Sequence, residues 1–422
     1  MKQRKSFAQK IKKISFLRNP LLYLWPLAVL PKTVVLVLSL LLLAYFIFRG
    51  AFKDKKLTKT SKILIALGVI QLLAILVAVI IHHPELERII AGMNTALIWI
   101  IAGLFFTLFY FNRQKVNEVT LGKTALFNIS VLFVLTLIGI VCGLLKTNFH
   151  VGNRFLLNDD WSNGVLTFRT CCFFEYPTLI PYFVLVNLPF AIKYVTNKNL
   201  FTKISLFGVG LVSAFFSKSR WGLLIYAFVY FMMICHYFMV RHKLTGKQIF
   251  VRVLVLVLIA SPFIVYFALD ILSSRAGSNS MRLAIYQNSI MTTLERNILF
   301  GNGVKYFFHD YPLGSHSSVI GSFYKTGIIG FVLFLTLYIK LTIISFKCFK
   351  KNPMMSATIL AILLFMIFED IDGTNWLLIY FCFLYSGIKR TSVRVKETQT
   401  NKVYIANVFE SPIPKRLLSQ QA

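Results

Sequence analysis

The sequence predicts an all-α, polytopic integral membrane protein of about twelve transmembrane helices with a large structured extracytoplasmic loop. Three observations carry that expectation. Hydrophobic residues make up 57% of the 422 residues and charged ones only 14%, which leaves too little polar surface for a soluble fold. The apolar residues gather into spans of roughly bilayer length. The formal net charge of +31 is also sequestered. Read from an inside N-terminus, 30 of the 46 lysines and arginines fall in segments on one face and 11 on the other, with Arg18, Lys193, Arg252, Lys325 and Lys340 within spans. Of the 15 acidic residues, 4 lie inside and 11 outside, so one face carries +26 and the other is neutral. Such an asymmetry orients helical membrane proteins with their basic loops inside.

The spans follow in order. Pro20, Pro26 and Pro31 interrupt the first apolar stretch and predict a tight hairpin of spans 14–30 and 33–48, flanked by basic clusters. Next come 63–81, 89–111, 125–145, 178–196, 204–216, 221–240, 250–269, 318–345, 354–368 and 376–388. Both termini fall on the cytoplasmic side. Residues 1–388 read as one transmembrane domain, and the polar segment 389–422 as a mostly disordered cytoplasmic tail. No small-residue cleavage site follows the basic run Lys2 to Lys13, so no cleavable signal peptide is expected. The six cysteines show no metal-binding spacing, and adjacent Cys171 and Cys172 read as packing residues. The basic residues sit in short loops beside apolar spans, where they face anionic lipid headgroups. They form no single stripe with stacking aromatics, so nucleic acid is not an expected partner.

Two outer segments are long, 146–177 and 270–317. Within the second, Ile285, Ile290, Met291, Leu294 and Ile298 recur at roughly helical spacing and predict a helix over 284–299 near the membrane surface. One span is short. Lys203 precedes Ser217 by 14 residues, about 21 Å of helix against a hydrocarbon core of about 30 Å. Ser217, Lys218, Ser219 and Arg220 therefore lie below the outer headgroups, and a cation held there needs a partner. Asp159 with Asp160, and the cluster Glu369, Asp370 and Asp372, read as solvated loop ends or sugar contacts rather than a metal site. Arg154, Arg169 and Arg296 read as ordinary surface charges. His309 reads as a loop residue off the motif.

The residues with the strongest chemical promise lie between Ser217 and Gly330. In order they are Ser217-Lys218-Ser219-Arg220, then Ser273-Ser274-Arg275, then Ser280-Met281-Arg282 with Tyr286 four residues on. Gly301-Asn302-Gly303, His316-Ser317-Ser318, and Gly327 with Gly330 opening the next helix complete the series. Gly301-x-Gly303 reads as a turn, since no strand–helix context surrounds it.

This order resembles the O-antigen ligase / O-antigen polymerase family, in which an SR pair at an outer helix break is followed by an Arg and an aromatic, a Gly-x-Gly, a His and a Gly-rich helix start. Ser317 stands where the family usually has Asn, and Tyr286 where Trp is commoner. The resemblance implies a GT-C-like, metal-independent glycosyltransferase without a cofactor, in the bacterial cytoplasmic membrane. The implied donor is an undecaprenyl-pyrophosphate-linked oligosaccharide, and the acceptor is a hydroxyl on a glycan or lipid. Membrane lipids and a chain-length regulator are the other implied partners. Arg220, Arg275 and Arg282 are then the pyrophosphate ligands. Guanidinium groups suit that task because they match phosphate oxygens with bidentate hydrogen bonds and keep their charge. His316 is the implied base, with phosphate binding or sugar orientation as alternatives. Polymerase activity on capsule or O-antigen repeat units is favoured. A ligase moving finished glycan is the alternative within the family, and a flippase for lipid-linked oligosaccharide the alternative outside it.

Overall fold

A computed structural model of the chain describes residues 16–53, 55–162, 165–195, 200–241 and 276–388. The predicted span 250–269, Arg275, the N-terminal basic run and the tail 389–422 lie outside these residues. The described chain is mostly helical. A 3₁₀ turn over Pro20–Tyr23 leads into α1 (Leu24–Val29) and α2 (Lys32–Phe48), followed by α3 (Lys59–His82), α4 (Leu86–Asn112) and α5 (Glu118–Leu144). Two antiparallel hairpins follow, β1 (His150–Val151) with β2 (Arg154–Phe155), and β3 (Leu157–Ser162) with β4 (Val165–Thr170). Then come α6 (Leu179–Tyr194), α7 (Leu200–Phe216), α8 (Arg220–Arg241) and α9 (Ala276–Arg296). A third small hairpin pairs β5 (Phe307–Phe308) with β6 (Tyr311–Pro312). The described chain ends with α10 (Ser318–Phe349), α11 (Pro353–Phe368) and α12 (Asn375–Ile388).

Among the described residues, five helices are long and apolar enough to cross a membrane: α3, α4, α5, α8 over Arg220–Tyr237, and α10. The other predicted spans among the described residues coincide with shorter apolar helices. The first limb of the predicted N-terminal hairpin is the shortest, helical only over Pro20–Val29. It is too short for a bilayer-long rod and is anchored along one side. Leu21 and Leu24 are fully buried, Tyr380 donates a hydrogen bond to the Pro20 carbonyl (2.7 Å), and Asn128 of α5 donates to the Leu21 carbonyl (3.0 Å). Asn128 also donates to Asn187 of α6 (2.9 Å), so the buried amides satisfy one another across three elements.

The main core lies where α4, α6, α11 and α12 meet and is rich in aromatics. Trp376 sits among Phe174, Tyr182, Phe183 and Tyr380 with ring centroids 5.7 to 6.5 Å apart. Cys171 and Cys172 are buried free thiols, in keeping with a packing role.

Three expectations need correcting. The segment 146–177 holds two β-hairpins, which the helical reading did not foresee. The outer-segment helix begins at Ala276, earlier than predicted, and of the apolar row buries only Ile285, together with Ser289 and Thr293. Ile290, Met291, Leu294 and Ile298 are exposed. Finally, Gly327 does not open α10. It lies inside it as a kink with φ +60°, a conformation that glycine tolerates best.

Candidate functional site

The site begins where α7 stops. Its 17 residues reach about 25 Å, short of a bilayer core. The break is built by two serines. Ser217 donates to the Ala214 carbonyl (2.7 Å) and accepts from the Ser219 amide (3.3 Å). Lys218 takes a left-handed φ of +49°. Ser219 then accepts from the Gly222 amide (3.1 Å), the standard use of serine ahead of a helix start. Arg220 is thereby the first residue of α8. Gly222 lets that helix end press on Pro181 of α6, since a Cβ there would collide with the Pro181 ring.

Arg282 comes to the same place from α9. It donates to Glu369 Oε1 (3.1 Å) and to the Phe368 carbonyl (3.2 Å) at the end of α11. His316 arrives from the loop before α10, with φ +62°. Two contacts hold it: Tyr286 donates to its carbonyl (2.7 Å), and the next residue, Ser317, caps α10 by accepting from the Ile320 amide (3.2 Å). Trp221 stacks flat on Phe368, with ring centroids 3.6 Å apart. Arg220, Arg282 and His316 line one cavity of about 420 Å³, together with Arg169, Lys218, Trp221, Tyr311 and Glu369.

The electrostatics are one-sided. Among the described lining residues Glu369 is the only carboxylate, and Arg282 pairs with it. Burial, reinforced by Arg282 and Lys305 and only partly offset by Asp370, pushes the His316 imidazolium down to about 4, so the ring is neutral near pH 7. Burial raises the Glu369 carboxyl despite the opposing pull of Arg282.

Glu369, which lines the cavity, begins an acidic cluster that reads from the sequence as solvated loop ends or sugar contacts. Glu369, Asp370 and Asp372 are not solvated loop ends. Lys305 holds Asp370 at 2.8 Å, and Lys325 of α10 grips both Asp372 oxygens at 2.7 and 2.8 Å. Trp99 of α4 donates to Asp372 (2.7 Å). Burial works against ionisation of Asp370, but Lys305 and Lys325 outweigh it and hold the carboxyl below its usual range. Ser318 completes the clip, donating its amide (3.2 Å) and hydroxyl (2.9 Å) to the Glu369 carbonyl and accepting from the Ile371 amide (2.9 Å). The segment that carries Glu369 is thus tied to the start of α10, which carries His316. Asp159 is exposed on β3 opposite Phe168, and the Asp160 side chain lies outside the described residues.

The Gly301-x-Gly303 segment is a docking turn. The kink at Gly327 releases the Tyr324 and Lys325 carbonyls from the helix ladder. The Asn302 and Gly303 amides donate to them at 2.8 and 3.1 Å, while the Gly301 amide donates to Asn297 (2.8 Å). With its amides so engaged, the turn has none to offer a phosphate.

Sequence reasoning therefore anticipated Arg220, Arg282 and His316 and missed Glu369, Lys325 and Arg169. A lysine inside an apolar span and three acids between two spans were the available signals for the first two. Arg154 and Arg296 do have structural roles: Arg154 lies 3.7 Å from Glu175, and Arg296 sits 4.0 Å over the Tyr306 ring. Comparison of the chain with protein-family models finds no match, and comparison with curated proteins finds none either.

Proposed function

We propose that this protein is a membrane glycosyltransferase. It moves a glycan from a lipid-linked pyrophosphate donor to an acceptor hydroxyl on the outer face of the bacterial cytoplasmic membrane, polymerising surface-polysaccharide repeat units. The observation that carries this reading is the convergence of Arg220, Arg282 and His316 on one cavity at a helix break. A pyrophosphate leaving group gains negative charge as the sugar C1–O bond breaks, and preorganised cations in a partly dry cavity stabilise that charge best. The acceptor oxygen attacks C1, the C1–O electron pair leaves with the lipid pyrophosphate, and the acceptor proton passes to the His316 ring. The neutral state of His316 fits this role. Docking of the pyrophosphate brings negative charge beside the ring and raises its proton affinity at the moment a proton must be taken.

The reading requires the cavity to face out. In a cysteine-free background, an Asp310→Cys protein labels in intact cells with a membrane-impermeant maleimide, whereas Ser392→Cys in the tail does not. The reverse pattern places the cavity on the wrong face and defeats the proposal.

The activity itself is tested in a strain lacking the protein. Lipid-linked single repeat units accumulate on the outer leaflet if the chain is a polymerase. Long polymer retained on the lipid carrier identifies a ligase instead, and repeat units trapped inside identify a flippase.

A further inference from the structure

We infer that Arg169, carried by the β3–β4 hairpin, is an additional ligand for the donor pyrophosphate, so that the hairpin forms one wall of the binding cavity. This inference rests on the glycosyltransferase reading and extends it to a residue outside the motif series.

The placement of Arg169 follows from strand alternation. Successive side chains of a strand point to opposite faces. In β4, Phe168 packs against Gly143 of α5 and Thr170 against Gly139, one helical turn away. A Cβ at either glycine would collide with those side chains, so the two glycines are what let the strand lie flat on the helix. Phe168 and Thr170 thus bind β4 to α5, and Arg169 between them is turned to the other side, where it lines the cavity with Lys218, Arg220, Arg282 and His316. The strand cannot swing away easily. Cys171 and Cys172 both donate backbone hydrogen bonds to the Leu156 carbonyl, at 2.8 and 3.1 Å.

Arg169 also keeps one donor unsatisfied: among the described residues its buried Nε has no hydrogen-bond partner. A buried cationic donor left unsatisfied is costly, and such groups call for an explanation. The contrast with the other arginine of these hairpins is informative. Arg154 lies beside Glu175, which Lys32 also holds at 3.0 Å. The carboxylate that lines the cavity, Glu369, is paired with Arg282. Arg169 therefore lines a cavity built of cations while no carboxylate is paired with it among the described residues, and a phosphoryl oxygen is the group that a guanidinium binds best.

The test uses the full-length protein in nanodiscs, with undecaprenyl pyrophosphate and undecaprenyl monophosphate as probes. Arg169→Ala should weaken undecaprenyl pyrophosphate binding about tenfold or more, the range of one charge-assisted hydrogen bond. Monophosphate binding should fall less, because a cation that reaches the second phosphate discriminates between the two lipids. Arg169→Lys should recover part of the loss, and it carries the test if the alanine variant fails to fold by size exclusion and thermal melting. If Arg169→Ala binds undecaprenyl pyrophosphate as the wild type does while Arg282→Ala does not, the inference fails and the site reading stands. If both variants bind normally, the site reading itself fails. Equal losses on both lipids would mark Arg169 as a structural residue and also overturn the inference.

Discussion

Arg282→Ala should lower kcat/KM by about 10²–10³-fold, the usual cost of deleting one preorganised charge-stabilising group. Arg282→Lys should remain well below the wild type, because a point charge does not replace a planar fork that now reaches both the Glu369 carboxylate and the Phe368 carbonyl. The substitution should also move a titration. Arg282 is one of the groups that hold the His316 imidazolium down near 4. Removing it shifts that ring toward its ordinary value, so the acid limb of kcat/KM should move to higher pH in Arg282→Ala. The sign is fixed by chemistry: below its pKa the ring already carries the proton that it must accept, and activity falls. In the wild type the acid limb of kcat should lie above that of kcat/KM, since the bound pyrophosphate raises the ring's pKa. His316→Ala should remove the acid limb and cost about 10²–10⁴-fold in turnover. A full acid limb in His316→Ala would show that another group is the base. An Arg282→Ala enzyme with unchanged kcat/KM would remove Arg282 from the reaction altogether.

Lys325→Met should destabilise the folded protein by about 3–5 kcal/mol, the range for breaking a buried pair by deleting one partner. The Lys325 and Asp372 side chains are each only 3% exposed, and Asp370 is 10% exposed. Lys305 and Lys325 together balance the two aspartates. Deleting Lys325 leaves a buried negative charge that Trp99 alone cannot compensate. The double variant Lys325→Met with Asp372→Asn should recover much of the loss, because it removes both charges of the pair. Thermal unfolding in detergent measures both. Turnover should fall with stability, since Asp370 and Asp372 adjoin Glu369, which holds Arg282. If Lys325→Met melts like the wild type, the network is not what anchors the 369–372 segment.

Much of the architecture is legible in the chain because apolarity over about twenty residues is a local property. The helices α3, α4, α5 and α10 announce themselves by length and composition, and the truncated span before Ser217 is visible by counting residues. The helix break itself is also local chemistry: Ser217 and Ser219 supply the hydroxyls that end one helix and start the next. Long-range pairing is a different matter. Glu369 meets Arg282 across 87 positions, and Lys325 meets Asp372 across 47. A carboxylate between two apolar spans looks solvated until the opposing cation is brought to it. The apolar row of α9 is legible as helical spacing, but spacing reports a stripe without saying which way it faces, and only Ile285 of that row turns inward.

The sequence by itself determined that the protein is mostly helical, that several of its helices are long and apolar enough to cross a bilayer, and that Arg220, Arg282 and His316 merit attention. These follow from composition, periodicity and residue order, which need no knowledge of neighbours. Only the tertiary structure decided that those three residues share a cavity, that Arg169 joins them from a β-hairpin, and that the acidic cluster is neutralised by Arg282, Lys305 and the buried Lys325. Each of these depends on which elements pack together. The small glycines that allow the packing, Gly139 and Gly143 under β4 and Gly222 against Pro181, have meaning only beside the side chains they admit.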